Sequence, residues 1–123
     1  MRLWLDGDVS RAATFYQRLA PRQRRDIIWC KTPAEAIRIL EEPEYLNVLY
    51  EAHLEYKLNN EFLNQDMDDP NCGMEVVRHV VKNPDKYNKI RFVIHTWDIS
   101  MGNVMIKALK EAGLDAVHIP FGS

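Results

Sequence analysis

The sequence predicts a doubly wound α/β fold, a single domain over residues 1–123 with five parallel strands in the order 2-1-3-4-5. Three observations predict it. Apolar runs of strand length alternate with stretches of helical period along the chain. Cap and stop residues bound the helical stretches. Several of the apolar runs close on an acid or a histidine, as strands do where their carboxyl ends reach a crevice. Strand–helix alternation of this kind implies a parallel sheet with right-handed crossovers and helices on both faces.

The elements follow in order. Residues 1–6 (MRLWLD) are short and apolar and end in an acid, which predicts a first strand. Ser10 offers an N-cap, and Ala12, Phe15, Tyr16 and Leu19 recur at helical spacing up to a stop at Pro21. Residues 26–32 (DIIWCKT) predict the second strand. Thr32 caps a helix over 33–42, with Pro33 at its first position, Glu35 at its third, and Ala36, Ile37 and Leu40 inward. Residues 45–51 (YLNVLYE) predict the third strand.

The stretch 54–71 is polar, with Asn59, Asn60 and Asn64 and the acids Asp66, Asp68 and Asp69. It predicts a long loop, which in a compact domain is functional or disordered. Residues 73–83 predict an amphipathic helix with Val76, Val77, Val80 and Val81 inward. Residues 90–96 (IRFVIHT) give the clearest strand. A helix over 98–112 carries Met101, Met105, Ile106 and Leu109 and closes on Gly113. Residues 115–121 predict the last strand.

Composition excludes several classes. The 123 residues suit one domain and are too few for two proper cores. A charged fraction of 28% with 46% hydrophobic residues argues against disorder. The net charge of −2 leaves no strong nucleic-acid signature, beyond a local patch at Arg22, Arg24 and Arg25. Cys30 and Cys72 lack partners at zinc-finger spacing, and a core of this size needs no disulfide framework. The opening apolar run ends at Asp6 and Asp8, so it reads as neither a signal peptide nor a membrane span. The expected location is cytoplasmic.

In a sheet of this order, ligands sit beyond the carboxyl ends of the strands near the switch between strands 1 and 3. That rule brings together Asp6 and Asp8, Glu51 and His53, and the run His95-Thr96-Trp97-Asp98. Carboxylates with neutral imidazoles suit a divalent cation, Mg²⁺ or Mn²⁺ where oxygens dominate, which would orient a phosphate and activate a water. Plainer roles stand beside these. Asp6 and Asp8 are able to cap the following helix, Asp98 reads first as an N-cap, and His53 and His95 suit simple hydrogen bonding at strand ends. His79 and His118 read as structural or solvent-facing, Trp4, Trp29, Met101 and Met105 as core, and Cys30 as buried and inert.

These motifs resemble the cyclic-phosphate processing receiver domain family, a receiver-like group of bacterial and phage genomes with a flavodoxin-like fold. The matches are Leu5-Asp6, Thr32-Pro33-Ala34-Glu35-Ala36-Ile37, Cys72-Gly73-Met74-Glu75-Val76-Val77, His95-Thr96 and Gly102-Asn103-Val104-Met105. They occur in order over nearly the full chain. The departures are Gly7 for the second acid of an LDD motif, Glu51-Ala52-His53-Leu54 for a central DHDL, and Asp98 for the family Asn. A receiver also needs a phospho-acceptor Asp and a final-strand Lys, and 116–120 (AVHIP) holds no Lys, so phosphorelay signalling is not expected.

The resemblance implies metal-assisted opening of a cyclic phosphodiester. Asp6, Asp8, Glu51 and His53 would hold the cation, His53 and His95 would serve acid–base chemistry, and Thr96 would donate to a phosphate oxygen. The implied ligand is a phosphate-containing small molecule or nucleotide. The alternative is a catalytically dead receiver-like module, in a bacterial cell or phage-infected host, that docks on a host protein.

Overall fold

A computed structural model describes residues 1–56 and 72–120. Five strands form one parallel sheet: β1 (Arg2–Leu5), β2 (Ile27–Cys30), β3 (Glu51–Leu54), β4 (Arg91–Ile94) and β5 (Asp115–His118). Their order is β2-β1-β3-β4-β5, the doubly wound arrangement expected from the sequence. The ladder is in step across the sheet: Trp4 pairs with Trp29 and His53, and His53 pairs with Val93.

Among the described residues six α-helices connect the strands: α1 (Val9–Gln17), α2 (Pro21–Arg24), α3 (Pro33–Glu41), α4 (Pro43–Leu46), α5 (Met74–Val81) and α6 (Ile99–Glu111). A 3₁₀ turn over Pro84–Tyr87 precedes β4. No helix among the described residues is long and apolar enough to cross a membrane.

Strand pleating decides which side chains reach which face. Leu3, Leu5, Ala52, Leu54, Phe92 and Ile94 form the main core with Ala36 and Leu40 of α3, Val76, Val77 and Val80 of α5, and Met105 and Leu109 of α6. Burying each of these larger side chains contributes about 1.5–3 kcal/mol. The alternate residues turn to the opposite face, where Phe15 of α1 covers Trp4 with ring centroids 4.1 Å apart. Cys30 and Cys72 are both buried, and burial pushes the Cys30 thiol up to about 12.

The third strand departs from expectation. The run at 45–51 has strand-like composition, yet Tyr45 and Leu46 lie in α4, which Pro43 opens at its first turn, where its missing N–H costs nothing. Tyr45, Val48 and Tyr50 are exposed, and the chain enters the sheet only at Glu51, opposite Arg2. The first helix is capped by Asp8, whose Oδ1 accepts from the Arg11 amide at 3.0 Å, rather than by Ser10. Asp8 precedes the turn by the one residue that lets a short side chain reach that amide. Thr32 and Asp98 cap α3 and α6 as expected, accepting from the amides of Glu35 and Met101. The strands at 26–32, 90–96 and 115–121 are each shorter than their apolar runs. Most of the expected 54–71 loop, from residue 57 on, and Phe121 lie outside the described residues.

Two glycines permit close approaches that shape the strand ends. A Cβ on Gly73 would overlap the carbonyl oxygen of Glu55, so the turn into α5 closes on β3 only with glycine there. A Cβ on Gly102 would press within 2.6 Å of the His118 ring, which sits against α6 and meets the Thr96 carbonyl oxygen at 2.7 Å.

Candidate functional site

Just beyond the last ladder pair, Leu5–Leu54, the chain delivers Asp6 from β1 and Glu55 from β3. Asp6 is 1% exposed. Its carboxylate receives a fork from Arg11: Nε donates to Oδ2 at 2.5 Å and Nη2 to Oδ1 at 2.6 Å, while the Asp8 amide also donates to Oδ1 at 3.0 Å. The same guanidinium lies 3.8 Å from Asp8 and 4.0 Å from Glu55. The hydrogen bond to Asp6 holds the guanidinium above its ordinary range, so it stays charged at every working pH.

Glu55 is buried, and its Oε1 accepts from the Tyr56 amide at 2.9 Å. Desolvation pushes its carboxyl up, against the pull of the Arg11 charge. Thr96 follows β4, is 2% exposed, and accepts from the Asp98 amide at 3.2 Å. Arg11, Glu55, Thr96, Trp97 and Asp98 line one pocket of about 130 Å³ at the carboxyl ends of β3 and β4. Trp97 is 65% exposed at this pocket. A larger apolar hollow of about 460 Å³ lies between α1 and the edge strand β2, walled by Ala12, Ala13, Tyr16 and Trp29, away from the acids.

Glu51, His53 and His95 form a second group. Glu51 opens β3, so it stands four residues, about 13 Å of strand rise, from Glu55 at the other end. The Arg2 Nε donates to Glu51 Oε1 at 3.0 Å, and the same oxygen lies 2.9 Å from His53 Nε2. His53 Nδ1 lies 2.6 Å from His95 Nε2, and His95 Nδ1 lies 2.7 Å from the Ile119 carbonyl oxygen. Both imidazoles stack on Trp4, at 4.4 and 4.8 Å between centroids.

A carbonyl only accepts, so His95 donates from Nδ1, its Nε2 accepts from His53 Nδ1, and His53 Nε2 is left facing Glu51. That last contact gains a proton only when the Glu51–His53 pair takes one up. Burial holds His53 below its ordinary range against the pull of Glu51. Burial and the charge on His53 lower His95 to about 4.

The residues singled out in the sequence thus fall into two sets. Asp6, Asp8 and Thr96 meet at the strand-end cluster and its pocket; Glu51, His53 and His95 form a chain of contacts that runs from the start of β3 to the end of β4. Arg11 and Glu55 were not anticipated. Glu55 was hidden by the misplaced third strand, and Arg11 stands three residues after Asp8 and five after Asp6, the spacing that signals a side chain folding back from the first turn of α1.

The divalent ion expected from the sequence does not fit this arrangement. Arg11 takes both Asp6 oxygens, the Tyr56 amide takes one oxygen of Glu55, and Asp8 caps α1. Among the described residues no group of three or more His, Cys, Asp or Glu side chains is arranged to hold a metal.

No curated protein matches the sequence. A solved structure, the signal receiver domain of a putative LuxO repressor protein from Vibrio parahaemolyticus, is similar in fold, with a TM-score of 0.56 and 19% identity. The similarity covers 97% of this chain and 78% of that one. The model of the cyclic-phosphate processing receiver domain matches residues 1–111. With the 2-1-3-4-5 sheet and acids gathered at its strand ends, the chain belongs to the cyclic-phosphate processing receiver domain family.

Proposed function

We propose that this domain binds a phosphate ester of the cyclic-phosphate class in the pocket between the ends of β3 and β4. The observation that carries the reading is the convergence of Arg11, Glu55, Thr96 and Trp97 on that pocket. The Arg11 guanidinium, its fork held on Asp6, lines the pocket with a fixed positive charge that attracts a phosphate. The Thr96 hydroxyl adds a donor beside it, and the start of α6 adds the positive end of a helix dipole. A pocket of about 130 Å³ takes the phosphate, and the exposed Trp97 indole offers a base a stacking surface outside it. Glu55, held toward its neutral form by burial, would give its proton to the ester oxygen that leaves when a water attacks the phosphorus and opens the ring.

Calorimetric titration with a nucleoside 2′,3′-cyclic phosphate and with inorganic phosphate tests this. Saturable binding by wild type, weakened about tenfold or more in Thr96→Val or Trp97→Ala, supports it. Binding by neither ligand, or equal binding by wild type and both variants, rejects it.

A second reading is favoured by a separate observation. Trp97, Ile99 and Val104 expose apolar surface along the start of α6, with Ile99 68% exposed. Such a strip suits a module without turnover that docks on a host protein. Under that reading, Ile99→Asp abolishes capture of the partner and leaves phosphate-ester titrations unchanged.

A further inference from the structure

We propose that Arg11 is the resident cation of the strand-end acids: its guanidinium stands where a divalent ion would otherwise sit, and removing it turns the cluster into a cation site. The inference concerns a neighbouring property of the pocket proposed above and needs no bound phosphate ester. It therefore stands or falls separately.

The argument begins with charge. Asp6, Asp8 and Glu55 gather at one end of the sheet, and Asp6 is almost wholly removed from water. Buried carboxylates at such spacing need a positive partner, because an uncompensated buried charge is expensive. Two kinds of partner are able to serve, an ion from solution or a base from the chain. Here the chain supplies it. Asp8 caps α1 and so fixes Arg11 at the third helical position, its amide on Asp8 and its side chain turned back over the end of β1.

From there one guanidinium meets all three acids: forked on Asp6 at 2.5 and 2.6 Å, 3.8 Å from Asp8 and 4.0 Å from Glu55. A Mg²⁺ or Mn²⁺ ion would need these same oxygens at about 2.1 Å. The fork and the ion exclude each other by space and by like charge. Because the guanidinium never loses its proton, the exclusion holds across the whole working pH range.

The test is a Mn²⁺ titration of metal-stripped protein, read from the electron paramagnetic resonance signal of free Mn²⁺. Wild type, Arg11→Gln, Arg11→Lys and the double variant Arg11→Gln/Asp6→Asn are compared. Loss of one unit charge at about 4 Å predicts a gain in Mn²⁺ affinity of tenfold or more in Arg11→Gln. The double variant should lose that gain, and Arg11→Lys, which keeps the charge, should bind no more tightly than wild type. Should Arg11→Gln be unfolded without metal, recovery of its circular dichroism by Mn²⁺ but not by Na⁺ also supports the inference, and no recovery overturns it. One equivalent bound by wild type as tightly as by Arg11→Gln overturns it outright. So does an Arg11→Lys that binds like Arg11→Gln.

Discussion

The strand-end cluster and the mid-sheet chain use nearly the same materials and come to different uses. Each joins neighbouring strands β1 and β3 through a carboxylate and an arginine: Asp6, Glu55 and Arg11 in one, Glu51 and Arg2 in the other. Their side chains turn to the same side of the sheet, because residues two and four apart along a strand share a face. What differs is what lies over them. His53 lies within the ladder and His95 one step past Ile94, and both lie flat against Trp4, which Phe15 covers, so their ring nitrogens face one another, Glu51 and the Ile119 carbonyl. Asp6 and Glu55 lie one step past the last ladder pair, and the cation between them borders a pocket. Polar side chains at neighbouring strand ends thus differ in whether an aromatic ring or an open pocket lies over them.

The sharpest way to break the comparison is to remove one acid from each region. Asp6→Ala leaves Arg11 without its fork and should cost about 3–5 kcal/mol, measured by urea unfolding. Glu51→Ala, whose partner Arg2 is half-exposed, should cost about 1 kcal/mol or less. Equal losses would mean that both pairs are equally buried in effect, which contradicts the distinction.

Next in size is Gly73→Ala. Its methyl group meets the backbone of Glu55, so β3 and α5 must separate, at a cost of about 1–3 kcal/mol. Because the displaced carbonyl belongs to Glu55, the same variant should weaken phosphate-ester binding, whereas Gly113→Ala, at φ 83° on the far end of α6, should affect stability alone. A Gly73→Ala protein with wild-type stability and binding would refute the close approach.

A graded effect should appear with pH. His53 and His95 have lowered affinities for protons in the fold, so the unfolded chain binds more protons than the folded one between the ordinary imidazole range and about 4. Stability therefore rises with pH across that window, and it is lost as pH falls from about 6.5 toward 4. Replacing both imidazoles, His53→Gln with His95→Gln, should flatten this slope. An unchanged slope would assign the acid sensitivity to other groups.

Much of the fold was legible in the sequence because alternation of runs and caps is a local signal. Thr32 and Asp98 announced their helices, and Gly113 its helix end, through short-range hydrogen bonds or backbone freedom. The third strand was not legible. The run at 45–50 carries strand residues, but Pro43 starts a turn beneath them, and the choice of Glu51 as the first paired residue depends on its register against Arg2. Register is a property of two segments at once, and neither one shows it alone.

The site followed the same division. Asp6 was visible as the acid closing an apolar run. Glu55 became visible only once β3 was placed, and Arg11 only once Asp8, not Ser10, was known to start α1. His53 and His95 looked like strand-end residues in sequence; His95 is one, directly after β4, whereas His53 lies inside β3, and the two rings meet.

The measurement that tests this division most directly uses the three indole signals in a nitrogen–proton correlation spectrum during titration with a nucleoside 2′,3′-cyclic phosphate. Trp97 borders the strand-end pocket, whereas Trp4 covers the imidazoles and Trp29 hydrogen-bonds the Asp6 carbonyl from β2. Saturable movement of the Trp97 signal, with that of Trp4 unmoved, is the predicted result. Movement of Trp4 with Trp97 still would place the ligand at His53 and His95 and contradict the account.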